Sequence, residues 1–272
     1  MSREGAISAT SMPTTRPLAV IPNLADLSEA GSHCHTAGPG YHGGAMIDFQ
    51  PILRAAEARA GGAAALRARL PTPKSAAELC ALGDDRYLSL MSLRIFRAGL
   101  RHAMVDARWP AFETAFQGFE PRRVRMMSDE DLDALLTDRR LIRHAAKMHA
   151  VRANAAALHD LSLCDFGEDK GGFGAYLAGW PDAEVVGLWD DLAKRFSHLG
   201  GNSGPYFLRM AGKDTFLLTG DVARALQHWG VVARAPKGKG DRLRVQAAFN
   251  GWSAETGRPL CRLSMILALS AD

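Results

Sequence analysis

Leu199-Gly200-Gly201-Asn202-Ser203-Gly204-Pro205-Tyr206-Phe207-Leu208, followed by Lys213-Asp214-Thr215-Phe216-Leu217-Leu218-Thr219-Gly220-Asp221, is the stretch from which the fold is read. A helix ending near His198 meets a glycine-rich turn, and a second helix begins around Gly204 or Pro205. Two helices joined by a tight glycine turn present backbone N–H groups beside the positive end of the second helix, which suits a phosphate oxygen. The same glycines equally serve a C-cap and turn between two packed helices, where left-handed conformations are needed. Asp221 falls in the first turn of the following helix, just after Thr219 and Gly220. There it either steadies the helix dipole beside a Thr219 cap, worth roughly 0.3–1 kcal/mol, or offers a carboxylate to a sugar that develops positive charge.

Outward from this stretch the periodicity is helical almost everywhere. Residues 47–60 are amphipathic and stop at Gly61-Gly62; a short helix is expected over 76–81 and a longer one over 84–104. Pro110 opens another, and Ser128 with Asp131 resembles a capping box for a segment ending near Leu136. Residues 140–158 carry the clearest pattern, with Leu141, Ala145, Met148, Ala155 and Leu158 along one face. Later helices are expected over 184–195, 204–210, 221–229, 241–254 and 259–269. Strand signals are confined to Val231-Val232 and residues 215–218, so the expected class is all-α. Residues 1–45, rich in Ser, Thr, Pro and Gly, are expected to form a flexible tail ahead of a helical domain at 46–272.

Composition sets the outer bounds. Hydrophobic residues make up 47% and charged residues 23%, an ordinary globular balance. A formal net charge of +4 permits nucleic-acid binding without establishing it. No apolar run approaches the ~18–20 residues of a membrane span, and no signal-peptide pattern opens the chain. The expectation is a cytoplasmic monomer with no membrane association. Cys34, Cys80, Cys164 and Cys261 lack paired spacing and read as reduced thiols.

The order hairpin, helix, short loop, acid at the next helix start resembles the helix-hairpin-helix DNA glycosylase superfamily. Asp84-Asp85, Phe96-Arg97-Ala98-Gly99-Leu100, Trp109-Pro110-Ala111-Phe112, Phe119-Glu120-Pro121, Leu141-Ile142-Arg143 with Lys147, and Asn154-Ala155 follow in order. Together they are similar to the DNA-3-methyladenine glycosylase I family over about residues 84–210. The resemblance implies a helix-hairpin-helix glycosylase-like fold and double-stranded DNA with damaged bases as partner. It assigns Leu199, Gly200, Gly201, Asn202, Ser203 and Gly204 to DNA binding and Asp221 to catalysis. Lys213 lies beyond residues 205–209, where bifunctional members carry a lysine, so hydrolysis without lyase chemistry is implied. The expected substrate is an alkylated base.

The same resemblance places Arg94, Arg97 and His102 at the base pocket; of the candidate pocket aromatics Tyr87, Phe96, Trp109, Trp180 and Tyr206, the one expected there is Tyr206, next to the hairpin. The family has glutamate, glutamine and tryptophan at the first three of these positions. Arginines oppose a cationic alkylpurine, which carboxylate and aromatic faces suit. Arg94, Arg97 and Arg101 at helical spacing form a basic stripe that meets phosphate or an electron-rich base, or is simply a solvated face. Arg143 and Lys147 read as a similar pair. The family's zinc pattern is not reproduced. Cys34, His35 and His42 are suitable ligand types in an unsuitable loop, so neither metal nor cofactor is expected. A non-catalytic DNA-binding relative that has lost the pocket chemistry is the alternative, and an interaction protein reusing the helical fold is a third class.

Overall fold

A computed structural model describes residues 47–164 and 171–271, and these contain helices, turns and loops but no strand. The expectations placed on residues 1–45, including Cys34, His35 and His42, fall outside the described residues. The fifteen α-helices of the described residues are α1 (Phe49–Ala60), α2 (Ala63–Arg69), α3 (Ala76–Cys80), α4 (Asp84–Arg97), α5 (His102–Asp106), α6 (Trp109–Ala115), α7 (Pro121–Val124), α8 (Asp129–Thr137), α9 (Ala145–Cys164), α10 (Gly172–Gly179), α11 (Val185–Arg195), α12 (Ser203–Ala211), α13 (Gly220–His228), α14 (Lys239–Thr256) and α15 (Leu260–Ser270).

Local chemistry sets most of these boundaries. Asp48 caps α1, accepting from Gln50 N–H at 2.9 Å, and Gly61 ends it at φ +86°. Ser75 and Glu78 cap each other's backbone at the start of α3, and Ser128 with Asp131 does the same for α8. Each box satisfies donors that a helix N-terminus would leave orphaned.

α1 packs along α15, joining the two ends of the described chain, and Trp252 adds a hydrogen bond of 2.8 Å to the Ile47 carbonyl. A second cluster stacks Trp109, Phe112, Phe116 and Phe119 under α4. α4 lies between α9 and α12, so the helix carrying Arg94 is braced on one side and meets the hairpin helix on the other.

Two expected helices change shape and one helix forms where none was expected. The 84–104 helix breaks after Arg97, because Gly99 adopts φ +78° and α5 restarts at His102. Arg101 therefore precedes α5 and is not part of a stripe with Arg94 and Arg97. The helix expected from Arg140 starts instead at Ala145. Asp138 accepts from the backbone N–H (2.9 Å) and guanidinium of Arg140, holding that segment in a turn. Arg143 is consequently exposed ahead of α9 while Lys147 is buried within it, and the two share no helix face. Finally, α10 is a helix at a stretch where none was expected, its glycines having low helical propensity. Gly174 is needed there, since a Cβ would lie 2.1 Å from the Leu79 carbonyl oxygen of α3.

Candidate nucleic-acid interface and active site

The hairpin has the form expected. α11 ends at Arg195, His198 and Gly201 take left-handed conformations (φ +63° and +59°), and α12 starts at Ser203. Leu199 is fully buried and anchors the turn to the core, whereas Gly200, Gly201 and Asn202 are exposed. No side chain caps α12; Ser203 N–H donates instead to the Gly200 carbonyl at 3.2 Å, and Pro205 in the first turn carries no N–H. Gly204 is fixed by close approach, because a Cβ there would meet the Leu199 carbonyl oxygen at 2.9 Å.

α9 holds this turn in place. Asn154, completely buried, accepts from Ser197 N–H at 2.7 Å and donates to the Ser197 carbonyl at 3.1 Å. Seven positions earlier, Lys147 donates to the Ala98 carbonyl at 2.8 Å and the Phe96 carbonyl at 3.4 Å, satisfying the C-terminal end of α4. Seven residues are two helical turns, about 10 Å. One face of α9 thus fixes both the helix bearing Arg94 and the entry to the hairpin. Sequence reading gave these two residues no such roles; the signal was two polar side chains on the apolar face of a helix. Replacing Asn154 by Ala leaves the Ser197 amide and carbonyl unpaired. The expected cost is about 1–3 kcal/mol of stability in urea unfolding, with weaker duplex affinity than wild type under folded conditions.

The strap from α12 to α13 is equally tied down. Lys213 N–H donates to the Leu208 carbonyl at 3.0 Å, and its buried ammonium meets the Trp180 carbonyl (2.6 Å) and Asp182 (2.7 Å). Asp214 accepts from the Leu260 and Cys261 amides, both at 2.8 Å, capping α15. The Thr215 hydroxyl receives the Trp189 indole N–H at 3.1 Å. Burial, helped by the nearby Asp214 carboxylate, pushes the Cys261 thiol up to about 12. The strap ends at Thr219, whose hydroxyl accepts from Val222 N–H at 3.1 Å and starts α13. Asn202 of the hairpin reaches the Leu218 carbonyl at 3.4 Å, so the start of α13 lies beside the turn.

Asp221 occupies the first turn of α13, as expected, with its side chain 61% exposed and paired with Arg224. Arg94 lies elsewhere. Its guanidinium sits 4.5 Å from the centroid of the Tyr206 ring, in the first turns of the hairpin helix. Arg97 pairs with Asp106 at 2.7 Å and touches Met210 Sδ at 3.9 Å. His102 is exposed at the first position of α5 and takes no part in these contacts. Arg94 and Tyr206 are therefore brought together, Arg97 joins them through α12, and Asp221 shares no partner with the group. Tyr87 and Phe96 belong to the packed interior, and Trp109 and Trp180 pack against it. A separate open cavity of about 280 Å³ is lined by Cys80, Asp84, Asp85, Glu120 and Gly171-Gly172, and contains none of the expected site residues. Among the described residues no cluster of three His, Cys, Asp or Glu is placed to hold a metal, and no helix is long and apolar enough to cross a membrane.

Residues 79–191 match the sequence model of the methyladenine glycosylase family. Over 68 residues the chain is 34% identical to the DNA-3-methyladenine glycosylase of Haemophilus influenzae, covering 25% of this chain and 37% of that protein. The chain thus spans little more than a third of this curated relative. Among solved structures, a 3-methyladenine DNA glycosylase I is 20% identical, covering 55% of this chain and 86% of its own, with a TM-score of 0.42. The Staphylococcus aureus 3-methyladenine DNA glycosylase I described for 3-methyladenine recognition is 22% identical, covering 62% and 92%, also with a TM-score of 0.42.

Proposed function

We propose that the helical region 46–272, whose residues 79–191 match the methyladenine glycosylase family model, is a monofunctional DNA glycosylase that removes a damaged, alkylated base by hydrolysis of its N-glycosidic bond. The observation that carries this reading is the hairpin. The exposed turn Gly200-Gly201-Asn202, leading into the start of α12, lets a phosphate approach the backbone of the turn without obstruction from a β-carbon at either glycine. Such contacts position a duplex without reading its sequence. The target nucleotide then leaves the stack towards the α4–α12 junction, where Tyr206 offers a face for the base.

Asp221 is the proposed catalytic carboxylate. Its exposure in the free protein matches a group that is covered only when DNA binds, and the hairpin's Asn202 contact keeps its helix start beside the phosphate grip. Its carboxylate stabilises the cation that develops on the sugar and orients the attacking water. Arg224 restrains its rotamer before DNA arrives.

A lyase step needs a free amine near the sugar. α12 contains no lysine, and Lys213 is 6% exposed and tied to Trp180 and Asp182. The expected product is an intact strand with an abasic site that breaks only on alkali treatment. Strand scission without alkali, trapped by borohydride as a protein–DNA adduct, would refute the monofunctional assignment. Duplex affinity should fall with rising salt, log K declining linearly with log salt.

A further inference from the structure

We propose that the Arg94 guanidinium, laid over Tyr206 and matched by no carboxylate among the described residues, recognises a neutral, acceptor-rich base and stabilises it as it departs as an anion. This inference rests on the glycosylase reading and specifies its substrate class.

Arg94 carries an unused hydrogen-bonding edge. Its Nε is buried without a partner, and among the described residues no carbonyl or carboxylate accepts from the guanidinium. Stacking on the Tyr206 ring holds the planar fork in one orientation, which suits paired acceptors such as a carbonyl oxygen and an adjacent ring nitrogen. The terminal nitrogens, which are not among the buried atoms and donate to no acceptor among the described residues, are the donors that an occupant with acceptors reaches.

The surroundings are cationic. Lys147, 8% exposed, is held by the carbonyls of Phe96 and Ala98 and has no carboxylate partner among its bonds. Arg97 is already committed to Asp106. Burial lowers the proton affinity of Arg94, with Tyr206 opposing and Arg97 adding to it; burial and then Arg94 do the same to Lys147. Negative charge placed at this junction relieves both groups, whereas a second cation is repelled.

The direction of bond cleavage sharpens the point. The C1′–N bond breaks with its electron pair passing to the base nitrogen and water oxygen bonds to C1′; the proton released by water ends on a base that leaves as an anion and passes to solvent when the base leaves neutral. A cationic alkylpurine leaves as a neutral molecule and gains nothing from a guanidinium. A neutral base leaves as an anion, which Arg94 stabilises through two N–H donors while keeping its own proton.

Two measurements test this. In single-turnover reactions, duplexes containing the neutral alkylated bases O6-methylguanine, O2-methylthymine or 1,N6-ethenoadenine are compared with one containing cationic N7-methylguanine. Release of at least one neutral base is expected, slowed about tenfold or more in Arg94→Gln and partly recovered in Arg94→Lys. Release of N7-methylguanine alone, or an Arg94→Gln enzyme that matches wild type, overturns the proposal. Independently, calorimetry measures binding of urate, an anion at neutral pH, and of 1-methyladenosine, a cation. Urate should bind, about tenfold more weakly to Arg94→Gln at unchanged Tm; absence of urate binding, or preference for the cation, also overturns it. If urate binds but no duplex yields free base, the glycosylase reading fails while the recognition site stands.

Discussion

Asp221→Asn should slow base release by about 10²- to 10⁴-fold while duplex affinity and Tm stay close to wild type. The substitution keeps the size of the side chain and its place in the first turn of α13, but removes the charge that would face the sugar. If Asp221 only complements the helix dipole, its loss costs roughly 0.3–1 kcal/mol, and its exposed pair with Arg224 adds little. The two roles therefore differ by orders of magnitude in one assay and hardly at all in another. A release rate within about threefold of wild type would assign Asp221 to helix stability alone. Arg224→Gln separates the partner's contribution. It removes the exposed ion pair without touching the carboxylate, so the release rate should stay within an order of magnitude of wild type.

Gly174→Ala should produce the largest loss of stability of any single methyl addition in the described chain. The new Cβ would lie 2.1 Å from the Leu79 carbonyl oxygen and 2.9 Å from the Cys80 Cα, both backbone atoms that cannot rotate away. α3 and α10 must separate, and Asp84, which accepts from Phe173 N–H at 2.8 Å and from the Ser162 hydroxyl at 2.6 Å, loses its seat at the start of α10. The expected cost is about 3 kcal/mol or more, equivalent to a fall of roughly 6 °C or more in Tm. Gly179→Ala, at the exposed end of the same helix with no atom within 4 Å of the added carbon, serves as control. It should change stability by less than about 1 kcal/mol. Equal effects at the two positions would mean that the α3–α10 contact is looser than the structure shows.

Gly174 also illustrates why part of the fold was hidden in the sequence. Its glycine is demanded by another helix nearly a hundred residues away, so local propensity argues against the helix that forms. The break after Arg97 has the same origin. Periodicity continues through residues 98–104, but Gly99 turns left-handed and Lys147, distant in sequence, satisfies the carbonyls at the helix end. By contrast, the Ser128–Asp131 box, the Gly61 stop and the hairpin at 199–204 are set by residues within five positions of one another, and these were legible.

The site divides along the same line. The hairpin glycines and the Thr219 cap before Asp221 declare themselves locally. The stacking of Arg94 on Tyr206 joins residues 112 positions apart, and no periodicity encodes it. Family resemblance placed Arg94 near a base pocket and position beside the hairpin placed Tyr206 there, but the resemblance also placed His102 there, which the turn at Gly99 carries onto an exposed helix start. The Asn154 clamp on Ser197 was visible only as one residue of a motif; its meaning needed the third dimension.

The central claim is that this hairpin scaffold performs base excision, and direct detection of free base tests it most simply. Wild-type protein in excess over a panel of duplexes, each with a single alkylated or deaminated base, is incubated and the supernatant analysed by mass spectrometry. The account predicts time-dependent appearance of one free modified base, together with an equal amount of alkali-labile strand. Salt-sensitive duplex binding with no base released from any member of the panel would contradict it, and would leave a DNA-binding relative of the fold without its chemistry.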